Sequence, residues 1–295
     1  VSTVVLAQDL PRAQRISSAD DVAVVSLLRA GWDLRWRRAQ SRSWYLEAWS
    51  PSAAGPLSES AIRSLSQLKG LRAIVLNGRC NDQDIANLAR RTSLTQISLK
   101  GEWITDTTLK ALKHIPGIQV LSLERARFTD DGLRYLGQLG SLRELHLIHI
   151  SIGDAGLHWI SRLQRLEVLH MYAGGKITDQ GLKALAGMTN LRVLGPSHAS
   201  ISEDKLAYFA TLRQLRSLSL RRETIRGNGL ASLAKIPHLE RLSLFGCWVT
   251  GQGMQAIAKL HNLRQLEMTC CGLSCLLYTS PSPRDLSTSR MPSSA

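Results

Sequence analysis

The chain has 295 residues, 44% of them apolar, 20% charged and 5% aromatic, with a formal net charge of +14. These values are ordinary for a globular chain and exclude a collagen-like or low-complexity one. No run of about 18 apolar residues exists, so the sequence encodes no helical membrane span.

The first residue is Val1, and Val4-Val5-Leu6-Ala7-Gln8 reads either as the tail of a signal peptide or as an ordinary N-terminal strand. No charged leader precedes it. That tilts the compartment toward the cytoplasm and leaves secretion or the periplasm open. Residues 1–16 are expected to be disordered or a signal-peptide remnant. Ser17-Ser18-Ala19-Asp20-Asp21 can then start a helix, with Val22, Val24, Val25, Leu27 and Leu28 expected on its buried side and Gly31 ending it. Trp32 to Trp36 and Trp44 to Trp49 alternate as a hairpin or as first strands.

From Leu71 the pattern L-x-x-L-x-L recurs nine times. Its copies begin at Leu71, Leu94, Ile118, Leu142, Leu166, Leu191, Leu215, Leu239 and Leu263, a period of about 24 residues. The central alternation predicts a short strand with one buried face. Five residues on comes I-T-D-x-G-L, as in Ile104 to Leu109, Phe128 to Leu133, Ile152 to Leu157 and Ile177 to Leu182. Later copies drift, at Ile201 to Leu206, Ile225 to Leu230 and Val249 to Met254. Thr or Ser sits where a helix N-cap belongs. The Asp after it favours the helix start through the dipole. Leu109, Leu112 and Ile115 then make one apolar stripe, as do Leu133, Leu136 and Leu139.

Strand, turn, helix and return in every copy resemble the leucine-rich repeat family over residues 71–274. The I-T-D-x-G-L element is similar to the bacterial 24-residue class and to the repeats of F-box adaptor proteins. The resemblance implies an α/β right-handed solenoid, or horseshoe, with a parallel sheet on the concave face and short helices on the convex face. Residues 17–70 would be its N-terminal cap with a degenerate first repeat, where Leu57 to Ile62 fits I-T-D-x-G-L loosely. The array would break off mid-repeat at residue 274. Residues 275–295, CLLYTSPSPRDLSTSRMPSSA, lack any periodicity and resemble a translated sequencing adapter, so they are expected to be a non-native, disordered tail.

The residues beside the strand leucines are expected to face the concave side in three columns. The central neighbours are Glu144, His146, Ile148, His170 and Tyr172, followed further on by Arg221, Arg241 and Phe245. Exposed aromatic and apolar side chains at the centre of such a face are typical of binding hot spots. Two histidines and a carboxylate could also hold a metal, but no third strong ligand is fixed by spacing, so none is assigned. Gly174-Gly175 lengthens one turn, and Gly195-Pro196-Ser197 departs from the strand pattern; Pro196 has no N–H to give the ladder. The turn edge carries Trp103, Arg125, Arg127 and Trp248.

Charge follows the array. Residues 1–70 hold 9 basic and 6 acidic side chains, and residues 71–274 hold 26 and 16. The concave columns are near neutral, and many cations fall where helix returns to strand, at Arg72, Arg143, Arg192, Arg216 and Arg264. That edge leaves room for an anionic partner and disfavours nucleic acid. The five cysteines, Cys80, Cys247, Cys270, Cys271 and Cys275, show no CxxC spacing and read as small buried thiols. No G-x-S-x-G, H-E-x-x-H or G-x-x-x-x-G-K-[ST] occurs. The expectation is a non-enzymatic module, without cofactor, that binds a protein or peptide on its concave face. The alternative is the recognition domain of a larger signalling or enzymatic protein.

Overall fold

The structure, a computed structural model, describes residues 18–38, 44–50, 57–68, 70–77, 80, 82–91, 94–172, 177–197, 203–221, 228–269 and 271–273. The expectations for residues 1–16, for Gly174-Gly175 and for 275–295 lie outside the described residues.

The strands are β1 (Asp33–Arg38), β2 (Trp44–Trp49), β3 (Leu71–Leu76), β4 (Gln96–Lys100), β5 (Val120–Glu124), β6 (Glu144–Ile148), β7 (Val168–Tyr172), β8 (Val193–Ser197), β9 (Ser217–Arg221), β10 (Arg241–Phe245), β11 (Trp248–Val249), β12 (Gln265–Thr269) and β13 (Gly272–Leu273). β1 to β10 and then β12 form one open eleven-stranded sheet in chain order, and β11 pairs with β13 beside it. β1 and β2 are antiparallel, the hairpin alternative for the tryptophan-rich segment. From β2 onward all neighbours run parallel, and from β3 to β7 they keep unshifted register.

Between strands the chain crosses the other face as helices: α1 (Ser18–Arg29), α2 (Glu59–Gln67), α3 (Asp82–Arg91), α4 (Asp106–Leu112), α5 (Leu133–Leu136), α6 (Asp154–Ile160), α7 (Asp179–Leu185) and α8 (Gly251–Ala258). Between α7 and α8, Glu203–Thr211 and Asn228–Lys235 are tighter 3₁₀ segments, and both fall in drifted motif copies. Strand leucines such as Leu121, Leu145 and Leu169, and helix leucines such as Leu109, Leu133 and Leu157, are all 0% exposed. They meet in one continuous core between sheet and helices. Strands sit about 4.8 Å apart and helices are about 10 Å thick, so the helix side is the longer, convex side.

The aspartate of I-T-D-x-G-L does more than sit at a helix start. Asp82 accepts from the hydroxyls of Thr107 and Thr108. Asp106 accepts from both the N–H and the hydroxyl of Thr129. Asp130 accepts from the Gly153 N–H, and Asp154 from the N–H and hydroxyl of Thr178. Each bond crosses to the next repeat. The motif glycine makes room for it: a Cβ on Gly156 or Gly181 would fall within 3.0 Å of the preceding repeat's Asp130 or Asp154. Glu203 does the same work in a drifted copy, accepting from the Gly229 N–H.

Two sequence expectations are corrected or refined. In α1 the buried residues are Ala23 and Leu27, while Val22, Val25 and Leu28 are 71%, 45% and 52% exposed and Val24 is half-buried. At 100° per residue, positions 23 and 27 share the face that packs on α2 and β1, and 22, 25 and 28 lie off it. Gly31, at φ 81°, does end the helix. In β8, pairing to β9 runs through Val193, Leu194 and Ser197 and skips Gly195 and Pro196, whereas pairing to β7 continues through both. Proline therefore interrupts one side of the ladder only. Cys80 and Cys247 are buried as expected, whereas Cys271, in the last described repeat, is only half-buried; burial together with Asp84 pushes the Cys80 thiol up to about 12.

Candidate functional site

Parallel, in-register pairing turns equal repeat positions into rows across the sheet. Glu144 lies opposite Val168, and His146 opposite His170. The two imidazoles stack, with centroids 5.2 Å apart and planes 17° from parallel. His146 Nε2 lies 3.7 Å from Glu144 Oε2. The ring of His170 leans over the next strand, where position 195 is glycine. A Cβ there would stand 2.6 Å from His170 Nδ1. Gly195 is thus what lets the stack tilt toward β8.

The electrostatics follow from this packing. Burial holds His170 below the ordinary imidazole value, and the neighbouring His146 adds to it, while Glu144 opposes it. The nearby His146 imidazole holds Glu144 below the usual carboxylate range, against partial burial and with help from His170. Two protonated rings at this separation would repel each other. Ile148 stands half-buried on the same strand as His146, opposite Glu124. Tyr172 occupies the next strand's end, but its side chain lies outside the described residues. Among the described residues no group of three His, Cys, Asp or Glu is placed to hold a metal.

Glu144, His146, Ile148 and His170 therefore come together. Arg221, Arg241 and Phe245 do not join them, because β9 and β10 are two and three strand spacings from β7, about 10 and 14 Å. They form a second group: Arg221 lies opposite Phe245, its guanidinium 4.8 Å from the ring centroid. Arg241 is exposed on the same strand as Phe245, between Ser217 and Gln265.

At the turn edge, Lys100 pairs with Glu124 at 2.9 Å, Arg125 approaches the same carboxylate at 3.8 Å, and Arg127 pairs with Glu102. Trp103 is half-buried and donates its indole N–H to the Lys100 carbonyl, so it is a packed residue rather than a free platform. Trp248 is 60% exposed on β11, beside the second group rather than the first.

One feature of this edge is not apparent from residue type. The residues that follow β4, β5, β6 and β10 adopt positive φ: Gly101 at 139°, Arg125 at 56°, His149 at 54° and Gly246 at 65°. Glycine takes this conformation freely; arginine and histidine do so at a cost of about 1–2 kcal/mol. The N–H groups of Gly101, Arg125 and Gly246 donate to the end of the next strand, which fixes the turn. Arg125 and His149 are thereby held at the rim next to Glu124 and Ile148, extending the histidine cluster outward. The glycines at equivalent positions were the available clue.

The fold is shared with known proteins. A family profile described as Leucine Rich repeat matches residues 235–258. No curated protein sequence matches the chain. Among solved structures, the chain is similar to TLR13 in a complex with ssRNA13 (21% identity, TM-score 0.57, 75% of this chain and 31% of that one). It is also similar to internalin C2 of Listeria monocytogenes (22% identity, TM-score 0.54, 72% and 87%). A leucine-rich repeat protein of Leptospira interrogans resembles it as well (20% identity, TM-score 0.53, 72% and 58%). The chain thus spans about a third of the TLR13 chain and more than half of the Leptospira one. At these identities the likeness concerns the fold, and it gives no support to setting nucleic acid aside as a partner.

Proposed function

We propose that this leucine-rich repeat solenoid is a non-enzymatic recognition module that binds a protein or peptide on its concave sheet. The central contact is the cluster Glu144, His146, Ile148 and His170, with Tyr172 beside it, and the outer contact is Arg221, Arg241 and Phe245. The observation that carries the reading is the stacked His146–His170 pair, held over Gly195 on a rigid eleven-stranded sheet. Half-buried rings and an aliphatic side chain, rimmed by charges, are the composition of an interface centre.

The separation of the two groups favours an extended peptide or a protein loop that reaches across several repeats. Peptides selected from a random display library on the purified protein supply a probe of defined sequence. Calorimetry with such a peptide should show His146→Ala/Tyr172→Ala binding at least about tenfold more weakly, a hot-spot-sized loss. Equal affinity for wild type and this variant would remove the cluster from the binding site. A second reading, the recognition part of a longer signalling or enzymatic protein, is supported by the 31% share of the TLR13 chain that aligns; the complete reading frame separates the two.

A further inference from the structure

The positive charge of the chain resolves once pairing is followed. On the sheet side and along the helix-to-strand returns, several cations meet acids: Lys100 pairs with Glu124, Arg143 and Arg192 share Glu167, and Arg216 pairs with Glu240. On the convex side, Lys110, Lys113, Arg134 and Arg162 form no ion pair with any described residue. They are gathered in three consecutive repeats. Lys110 and Arg134 each follow the buried leucine of the motif, Leu109 and Leu133, and both are exposed.

Two aromatic rings organise these cations. Arg134 donates to the Tyr135 hydroxyl at 2.9 Å and lies 4.9 Å from that ring's centroid. Lys110 and Lys113 approach the same phenol from the preceding helix; with the Arg134 hydrogen bond leading, they hold it below its ordinary value. One repeat on, Arg162 lies 4.3 Å over Trp159. Each ring is half-buried, while Arg134 and Arg162 are both exposed. The acids nearest to Arg134 are Asp131 and Asp106, and Asp106 is engaged by Thr129.

We propose that this convex face binds single-stranded nucleic acid, with phosphates on Lys110, Lys113 and Arg134 and unpaired bases on the outer planes of Arg134 and Arg162. Arginine planes already stacked on a ring lose little freedom when a base adds to the stack. Unpaired bases are required because a bulging helical surface offers stacking planes and no element that enters a groove. A membrane fits less well: the exposed large apolar side chains, Val22, Val25, Leu28 and Trp248, all lie elsewhere, so nothing here would insert between lipids.

The test uses a fluorescein-labelled uridine homopolymer of about 20 nucleotides, long enough to cross several repeats, with anisotropy read across a salt series. Lys110→Gln/Arg134→Gln/Arg162→Gln should bind about tenfold or more weakly and, with two phosphate contacts gone, flatten the slope of log K against log salt by about 1.4, with folding checked by circular dichroism. Arg162→Lys keeps the charge, disturbs the surface least, and should still weaken binding severalfold because the stacking plane is gone. His146→Ala/His170→Ala should bind the RNA as wild type does, which keeps this inference separate from the concave site. No binding by wild type, full binding by a folded triple variant, or binding only to phosphatidylserine vesicles would each overturn the proposal.

Discussion

Asp154 accepts both the backbone N–H and the hydroxyl of Thr178, the N-cap of the next repeat's helix, at 2.8 and 2.5 Å. One carboxylate therefore caps the helix start that follows it in the array rather than only its own. Removing it leaves two donors of the neighbouring repeat without their acceptor. We expect Asp154→Ala to cost about 1–3 kcal/mol, read as a lower urea midpoint at unchanged slope.

Gly181 offers an internal check on that assignment, since its absent side chain is where Asp154 sits. Gly181→Ala should be destabilising in the wild-type background, by about 1–3 kcal/mol for the forced displacement. It should be distinctly milder when Asp154 is already alanine. A double-mutant cycle on denaturation midpoints measures the coupling; additive effects would show that the two residues do not share the space.

The histidine stack has a pH consequence. His170 in the folded protein titrates below its ordinary value of 6.5, so the unfolded chain takes up the proton first as pH falls. Stability from this group is complete above about 6.5 and declines below it. Glu144, also held low, contributes stability above its ordinary 4.5 that is lost further into acid. Both act in the same direction in separate windows. Thermal melts between pH 7.5 and 5.5 should fall more for wild type than for His170→Asn, once the general trend shared by both is subtracted.

Gly195→Ala tests whether ring position matters for recognition. The new methyl would stand 2.6 Å from His170 Nδ1 and must displace the ring. We expect the selected peptide to lose about tenfold in affinity, a hot-spot-scale effect. A changed His170 imidazole shift by NMR should accompany it, with about 1–3 kcal/mol of destabilisation because Gly195 is buried and the ring must move to admit the methyl. Unchanged affinity with a displaced ring would show that the stack is a bystander.

Arg125 sits at φ 56°, and among the described residues its side chain makes one loose charge contact, to Glu124 at 3.8 Å. Arg125→Gly relieves the backbone strain, about 1–2 kcal/mol, and gives back about 0.5–1 kcal/mol in unfolded-state freedom. The net expectation is a slightly higher melting temperature. If the rim contributes to the concave site, peptide affinity should fall at the same time, so stability and binding would move in opposite directions.

How legible was all this in the chain of letters? The strand rows were, because parallel unshifted pairing maps a sequence period directly onto space: His146 and His170, 24 residues apart, had to be neighbours. The split between the central group and Arg221, Arg241 and Phe245 follows from the same count of strands. The aspartate contacts were not legible, since a residue's type and its own helix explain it well enough without the neighbour that actually engages it. α1 was misread for a related reason. Apolar residues surround it, so periodicity could not choose between the Ala23–Leu27 face and the Val22–Val25–Leu28 face; only its contact with α2 and β1 does. Positive φ at Arg125 and His149 was hidden behind residue types that rarely adopt it.

The carboxylate contacts also set how the array tolerates change in length. Asp106 reaches Thr129 and Asp130 reaches Gly153 across 23 residues, while Asp154 reaches Thr178 across 24. The one-residue insertion is absorbed upstream of Thr178 and the grip closes regardless. Units that carry the aspartate and present an N–H at the next helix start should therefore be exchangeable, so that in-phase recombination can lengthen or shorten the array's reach while this contact is kept.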